Sequence, residues 1–60
     1  MIMKAEKMFM IFEPNGKPNY HTIRRQKQYS IASWFTKEQW KEARKYGWTC
    51  KKVEVSINIL

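Results

Sequence analysis

The sequence predicts a small α+β domain: a three-stranded antiparallel sheet with two short helices packed on one face, in the order β-β-α-α-β. Three observations carry this expectation. Residues 7–13, KMFMIFE, hold an unbroken apolar run from Met8 to Phe12, which suits a central strand covered on both faces. The EPNGKP that follows has turn chemistry, with Pro14 presetting the second position of a type I turn and Gly16 supplying the positive φ of the return. Residues 34–48, WFTKEQWKEARKYGW, contain both a helix start and a helix stop.

The returning strand is YHTI, with Tyr20 and Thr22 expected on one face and His21 and Ile23 on the other. Between Arg24 and Phe35 the period changes. Gln28, Ile31, Ala32 and Phe35 fall at helical spacing and predict a short first helix with a narrow apolar face. Thr36 and Gln39 then form a capping box, with Phe35 and Trp40 as the hydrophobic staple around it. The second helix therefore starts at Lys37. It should end near Tyr46, where Gly47 takes the left-handed C′ position and Arg44 and Lys45 complement the carboxyl-end dipole. In the last segment Val53, Val55, Ile57 and Ile59 alternate with polar residues, while Trp48 and Cys50 sit in the opposite phase. A bulge or twist near Lys51 and Lys52 would reconcile the two halves. Residues 1–6 are expected to fray ahead of a single domain over 7–60, and Met1 and Met3 are both candidate starts.

A chain of 60 residues buries only about 60% of the surface its unfolded state exposes, so stability is marginal and large side chains are needed inside. The three Trp, three Tyr and three Phe supply that bulk. Cys50 is the sole cysteine, which excludes an intrachain disulfide and a typical structural zinc site and suits a reducing cytoplasm. The apolar stretch near the N-terminus is too short for a membrane span and lacks a small-residue cleavage site, so neither a membrane partner nor a signal peptide is expected.

Twelve Lys and Arg against five Glu, with no Asp, give a formal charge of +7. Such a field attracts nucleic acid, an anionic membrane or an acidic protein surface without choosing among them, and it also serves plain solubility.

The stretch WKEARKYGWTCKKVEV, Trp40 to Val55, together with the hairpin EPNGKPNYHTIRR, resembles a recurring type of small accessory protein encoded by lambdoid phages and prophages. In that type a β-hairpin leads to a helical segment, and a Gly followed by an aromatic introduces the last strand. The resemblance spans roughly residues 8–57 and rests on fold-determining rather than catalytic motifs. It implies an accessory protein acting in the cytoplasm of an infected bacterium, and it transfers no functional residue.

No catalytic residue is expected, since catalysis needs groups converging in a pocket and the chain offers one His, one Cys and Glu residues that mostly have basic neighbours. No cofactor or metal is expected. Glu38 with Lys41 and Glu42 with Lys45 stand at i, i+3, the spacing of solvated helix pairs. His21 reads as a structural strand residue and Cys50 as a small apolar one.

The cations are patterned. Lys37, Lys41 and Arg44 follow i, i+4, i+7 spacing and form one stripe, with Trp40, Ala43 and Tyr46 turned toward the sheet. Arg24, Arg25 and Lys27 form a second cluster where the hairpin enters the first helix, and Lys51 and Lys52 a third. Trp40, as the staple, belongs to the core, and Trp48 to the seam between helix and sheet. Trp34 is roughly 100° around the helix from Phe35, so it is the expected exposed indole. The candidate binding residues are therefore Arg24, Arg25, Lys27, Trp34, Lys37, Lys41 and Arg44. The first expected partner is DNA or RNA, held through phosphates with little reading of sequence, with Trp34 stacking on a base. The alternative is a host bacterial protein with an acidic surface, and a homodimer sealed by Trp34 is a further candidate.

Overall fold

The computed structural model describes residues 2–59, with side chains described for residues 5–56. Its elements are β1 (Ile2–Phe12), β2 (Pro18–Arg24), α1 (Lys27–Ala32), α2 (Lys37–Lys45) and β3 (Thr49–Ile59). The sheet is antiparallel with spatial order β2-β1-β3, so the fold is the expected α+β arrangement with the first strand central. Ile11 is fully buried and its neighbour Met10 is buried too. Adjacent strand residues point to opposite faces, so the centre of β1 is covered on both sides.

β1 begins at Ile2 rather than at Lys7, because β3 runs on to Ile59 and gives those residues a partner. The β1–β3 ladder is unbroken from Ile2↔Ile59 to Phe12↔Thr49. The bulge expected near Lys51 and Lys52 does not form. The change of phase within β3 has another cause: its two halves turn their apolar residues to opposite faces, Cys50 opposite Ile11 and Val53 opposite Met8. Opposed residues share a face, which places Ala5, Lys7, Phe9 and Ile11 with Cys50, Lys52, Glu54 and Ser56. Glu6, Met8, Met10 and Phe12 share the other face with Thr49, Lys51, Val53 and Val55. Helix α1 covers the Ile11–Cys50 face, where the Cys50 thiol donates to Ser30 Oγ at 3.7 Å.

The irregularity lies in β2. Phe9 pairs with Arg24 and Ile11 with Asn19, so the stretch Tyr20–Ile23 stands opposite Met10 alone. The regular alternation expected for YHTI is therefore broken. Thr22 is buried, and its hydroxyl takes the place of a ladder partner, accepting the Ile11 N–H at 2.8 Å and donating to the Asn19 carbonyl at 2.7 Å. The turn before it forms as expected, with the Gly16 N–H donating to the Glu13 carbonyl at 2.8 Å and Gly16 at φ +88°.

The expected apolar face of α1 needs correction. Its buried residue is Ser30, whose hydroxyl donates to the Thr22 carbonyl at 2.7 Å, whereas Gln28 and Ala32 are exposed. A polar residue goes inside here because the bulge leaves a buried carbonyl to satisfy.

Helix α2 is built by local signals. Thr36 Oγ1 accepts the Gln39 N–H at 3.1 Å, and Gln39 Oε1 accepts the Thr36 N–H at 3.0 Å. At the far end Gly47, at φ +102°, donates to the Arg44 carbonyl, and the Trp48 N–H donates to that of Ala43. This is the paired bonding of a Schellman cap. Phe35 holds the helix down: its ring lies 5.6 Å from that of Trp40 and 5.2 Å, edge-on, from that of Trp48. Ala43 is buried beneath, but Tyr46 is 74% exposed rather than turned to the sheet. Tyr46 is the C-cap, where the backbone leaves the helical path.

Candidate functional site

Successive turns of α2 place Lys37, Lys41 and Arg44 along one stripe, with Lys45 beside them. These four cations and Trp40 line a shallow depression of ≈ 380 Å³. A second depression, of ≈ 160 Å³, lies among Arg44, Trp40, Trp48, Thr49 and Cys50, and Lys27 of α1 reaches into it. A third, of ≈ 310 Å³, is mainly apolar and runs between the helices along Ile31, Ala32, Phe35 and Trp40, with Gln28 and Lys37 at its rim. Half-buried Trp40 is a wall of all three, and no acidic residue lines any of them. The acidic side chains of α2 stay to one side, where Glu42 holds Lys45 at 3.4 Å. The other pair at that spacing, Glu38 and Lys41, does not close.

Of the candidate residues, the fold brings together Lys27, Lys37, Lys41 and Arg44. Arg24 and Arg25 do not extend this group. The Arg24 guanidinium turns back on the bulge, donating to the carbonyls of Ile23 at 2.8 Å and His21 at 3.1 Å. Arg25 pairs with Glu6 of β1 at 3.4 Å. Lys51 and Lys52 diverge as strand neighbours must, Lys51 over the Phe12 ring at 5.5 Å and Lys52 over the Phe9 ring at 5.8 Å. They form no joint cluster.

Trp34 is 49% exposed, as its helical offset from Phe35 predicts. Its neighbour is His21, the two rings stacked at 6.1 Å and 14°. Together with Tyr20, Lys17 and Trp48 this stack borders a separate depression of ≈ 360 Å³. Sequence reasoning missed both the His21 contact and the central place of Trp40 among the cations. The stack depends on the β2 bulge, which turns His21 outward. Trp40 combines two roles, packing on Phe35 with one part of the indole and lining the depressions with another.

Cys50 and His21 are occupied separately, the thiol by Ser30 and the imidazole by Trp34. Among the described residues no three His, Cys, Asp or Glu side chains gather as a metal site. Among the same residues no helix is long and apolar enough to cross a membrane. No family model, curated protein or solved structure matches this chain.

Proposed function

We propose that this protein binds nucleic acid through backbone phosphates, using the face where Lys27, Lys37, Lys41 and Arg44 surround Trp40. One observation carries the reading: these cations from two helices border adjoining depressions with no carboxylate among the lining residues. A phosphate chain laid along α2 meets a cation at each turn, and every neutralised phosphate releases counterions. Lysine predominates, and a flexible ammonium makes a point-charge contact that reads little sequence. The half-exposed Trp34, stacked on His21, offers a planar surface for an unpaired base. The role is binding rather than catalysis. The setting we infer is that of a phage accessory protein in the host bacterial cytoplasm, on the strength of the sequence resemblance.

The apolar groove along Ile31, Ala32 and Phe35 supports a second reading. An amphipathic acidic segment of a host protein would seat its apolar side there and its carboxylates on Lys37 and Lys41.

Titrating labelled DNA and RNA at two salt concentrations tests the first reading. Binding at low salt that weakens steeply as salt rises is the expected result, and no binding at low salt removes it. Retention of a host protein from nuclease-treated lysate, abolished when the α2 cations are reversed, would favour the second.

A further inference from the structure

We propose that the nucleic acid this protein takes is single-stranded, with one unpaired base held in the depression that Trp34, His21, Tyr20 and Trp48 line. This inference rests on the phosphate-binding reading and adds to it the strandedness of the ligand.

Two depressions share Trp48 as a wall, and they differ in what they can hold. In the one of ≈ 160 Å³, Lys27 and Arg44 are present and no carboxylate is. In the one of ≈ 360 Å³, four rings stand with Glu13 and Lys17, whose formal charges cancel. A phosphate is drawn to the first. The second has no net charge to attract one and offers ring faces instead, which suit a neutral, planar base. Because the two adjoin at Trp48, a strand whose phosphates follow the α2 cations has a base beside the aromatic depression.

The aromatic side of the site is fixed before any ligand arrives. The Trp34 N–H donates to the Ile31 carbonyl of α1 at 3.1 Å, and its ring lies at 14° to that of His21, with centroids 6.1 Å apart. His21 is held at both ends of its own backbone. Its N–H donates to Asn19 Oδ1 at 3.1 Å, and its carbonyl accepts from the Arg24 guanidinium at 3.1 Å. Rings on a fixed backbone lose little freedom on binding. Tyr20 is 71% exposed and Trp34 49%, so ring surface remains for a base to cover. In a duplex each base is paired and already stacked on its neighbours, whereas an unpaired base can be splayed onto an aromatic side chain. The aromatic depression therefore selects the single strand, and it tolerates any sequence because every base has a π-face.

Fluorescence anisotropy at one low salt concentration compares labelled single strands of DNA and of RNA with their duplexes. Charge alone favours the duplex, whose phosphates are denser, so a preference for the strand cannot come from the cations. The strand, as DNA, RNA or both, should bind about tenfold more tightly than its duplex, the order that one base on an aromatic side chain contributes. Trp34→Ala should remove that preference and leave duplex affinity as in the wild type, with circular dichroism confirming the fold. Tyr20→Ala should reduce the preference, and it carries the comparison if Trp34→Ala does not fold. Replacing Lys37, Lys41 and Arg44 with Gln should weaken strand and duplex alike. Equal wild-type affinity for strand and duplex overturns the proposal while the phosphate reading stands, and so does a preference that survives both aromatic variants. Binding of neither ligand at low salt removes the phosphate reading and this inference with it.

Discussion

Thr22 Oγ1 accepts the N–H of Ile11 across the β2 bulge at 2.8 Å, and both residues are fully buried. That hydroxyl stands where a strand carbonyl would otherwise be, and it passes its own proton to the Asn19 carbonyl at 2.7 Å. The extra residues of β2 can thus leave the ladder without leaving a buried amide unpaired. Two helix-borne hydrogen bonds anchor the same point, since Ser30 Oγ donates to the Thr22 carbonyl and accepts from the Cys50 thiol. The bulge, the first helix and the last strand meet in one chain of hydrogen bonds.

Thr22→Val keeps the shape and removes the hydroxyl. It leaves the Ile11 N–H buried without a partner, a cost of about 1 to 3 kcal/mol. In urea unfolding the midpoint should fall with little change in slope, and Thr22→Ser should recover most of the difference. Equal stability of the Val and Thr forms would mean that another acceptor takes the Ile11 amide.

Gly16 and Gly47 both hold positive φ, at +88° and +102°, but their surroundings differ. A Cβ on Gly16 meets nothing within 4 Å, whereas one on Gly47 would lie 3.2 Å from Pro14 Cβ, where the helix cap rests on the hairpin turn. Gly16→Ala therefore carries the backbone strain alone, on the order of 1 kcal/mol. Gly47→Ala adds a clash and should lower the thermal midpoint further. Equal drops in midpoint would show that the cap and the turn do not touch.

Features completed within a few residues of chain are legible in the sequence, and features completed across the fold are not. The capping box of Thr36 and Gln39, the Phe35–Trp40 staple and the Gly47 cap are local devices, and they form as read. The β2 bulge is not local. Nothing within YHTI distinguishes a Thr22 that alternates from one that bonds to Ile11, because the deciding groups are 11 residues away in β1 and 8 away in α1. The same limit applies to the cations. The stripe of Lys37, Lys41 and Arg44 follows from helix geometry, but the fates of Arg24 and Arg25 depend on carbonyls freed by the bulge and on Glu6. Trp34 is legible as exposed and illegible as the partner of His21 for that same reason.

The aromatic residues around α2 should divide by role. Phe35 touches both Trp40 and Trp48, at 5.6 and 5.2 Å between ring centroids, and such pairs each add about 0.5 to 1.5 kcal/mol beyond area burial. Phe35→Leu removes both ring pairings together and should therefore lower stability by roughly 1 to 3 kcal/mol. Trp34→Leu, at a position 49% exposed with a single ring partner, should change it by less. Chemical denaturation of the two variants, followed by circular dichroism, compares them directly. A larger destabilisation by Trp34→Leu would make the His21 stack a structural element rather than a free surface.

The separation of the arginines from the α2 stripe gives the binding proposal its sharpest test. If Lys37, Lys41 and Arg44 meet phosphates, replacing all three with Gln should weaken nucleic-acid binding. It should also flatten the plot of log affinity against log salt by about 0.9 for each phosphate no longer neutralised on duplex DNA. Arg24→Gln with Arg25→Gln removes two charges as well, but these are committed to the carbonyls of His21 and Ile23 and to Glu6. That pair should leave the salt slope nearly unchanged while reducing stability. Net charge alone would make the two sets of variants differ only in proportion to the charges removed. A flattened slope in the arginine pair with an intact slope in the α2 variant would move the binding surface from the helices to the hairpin side of the molecule.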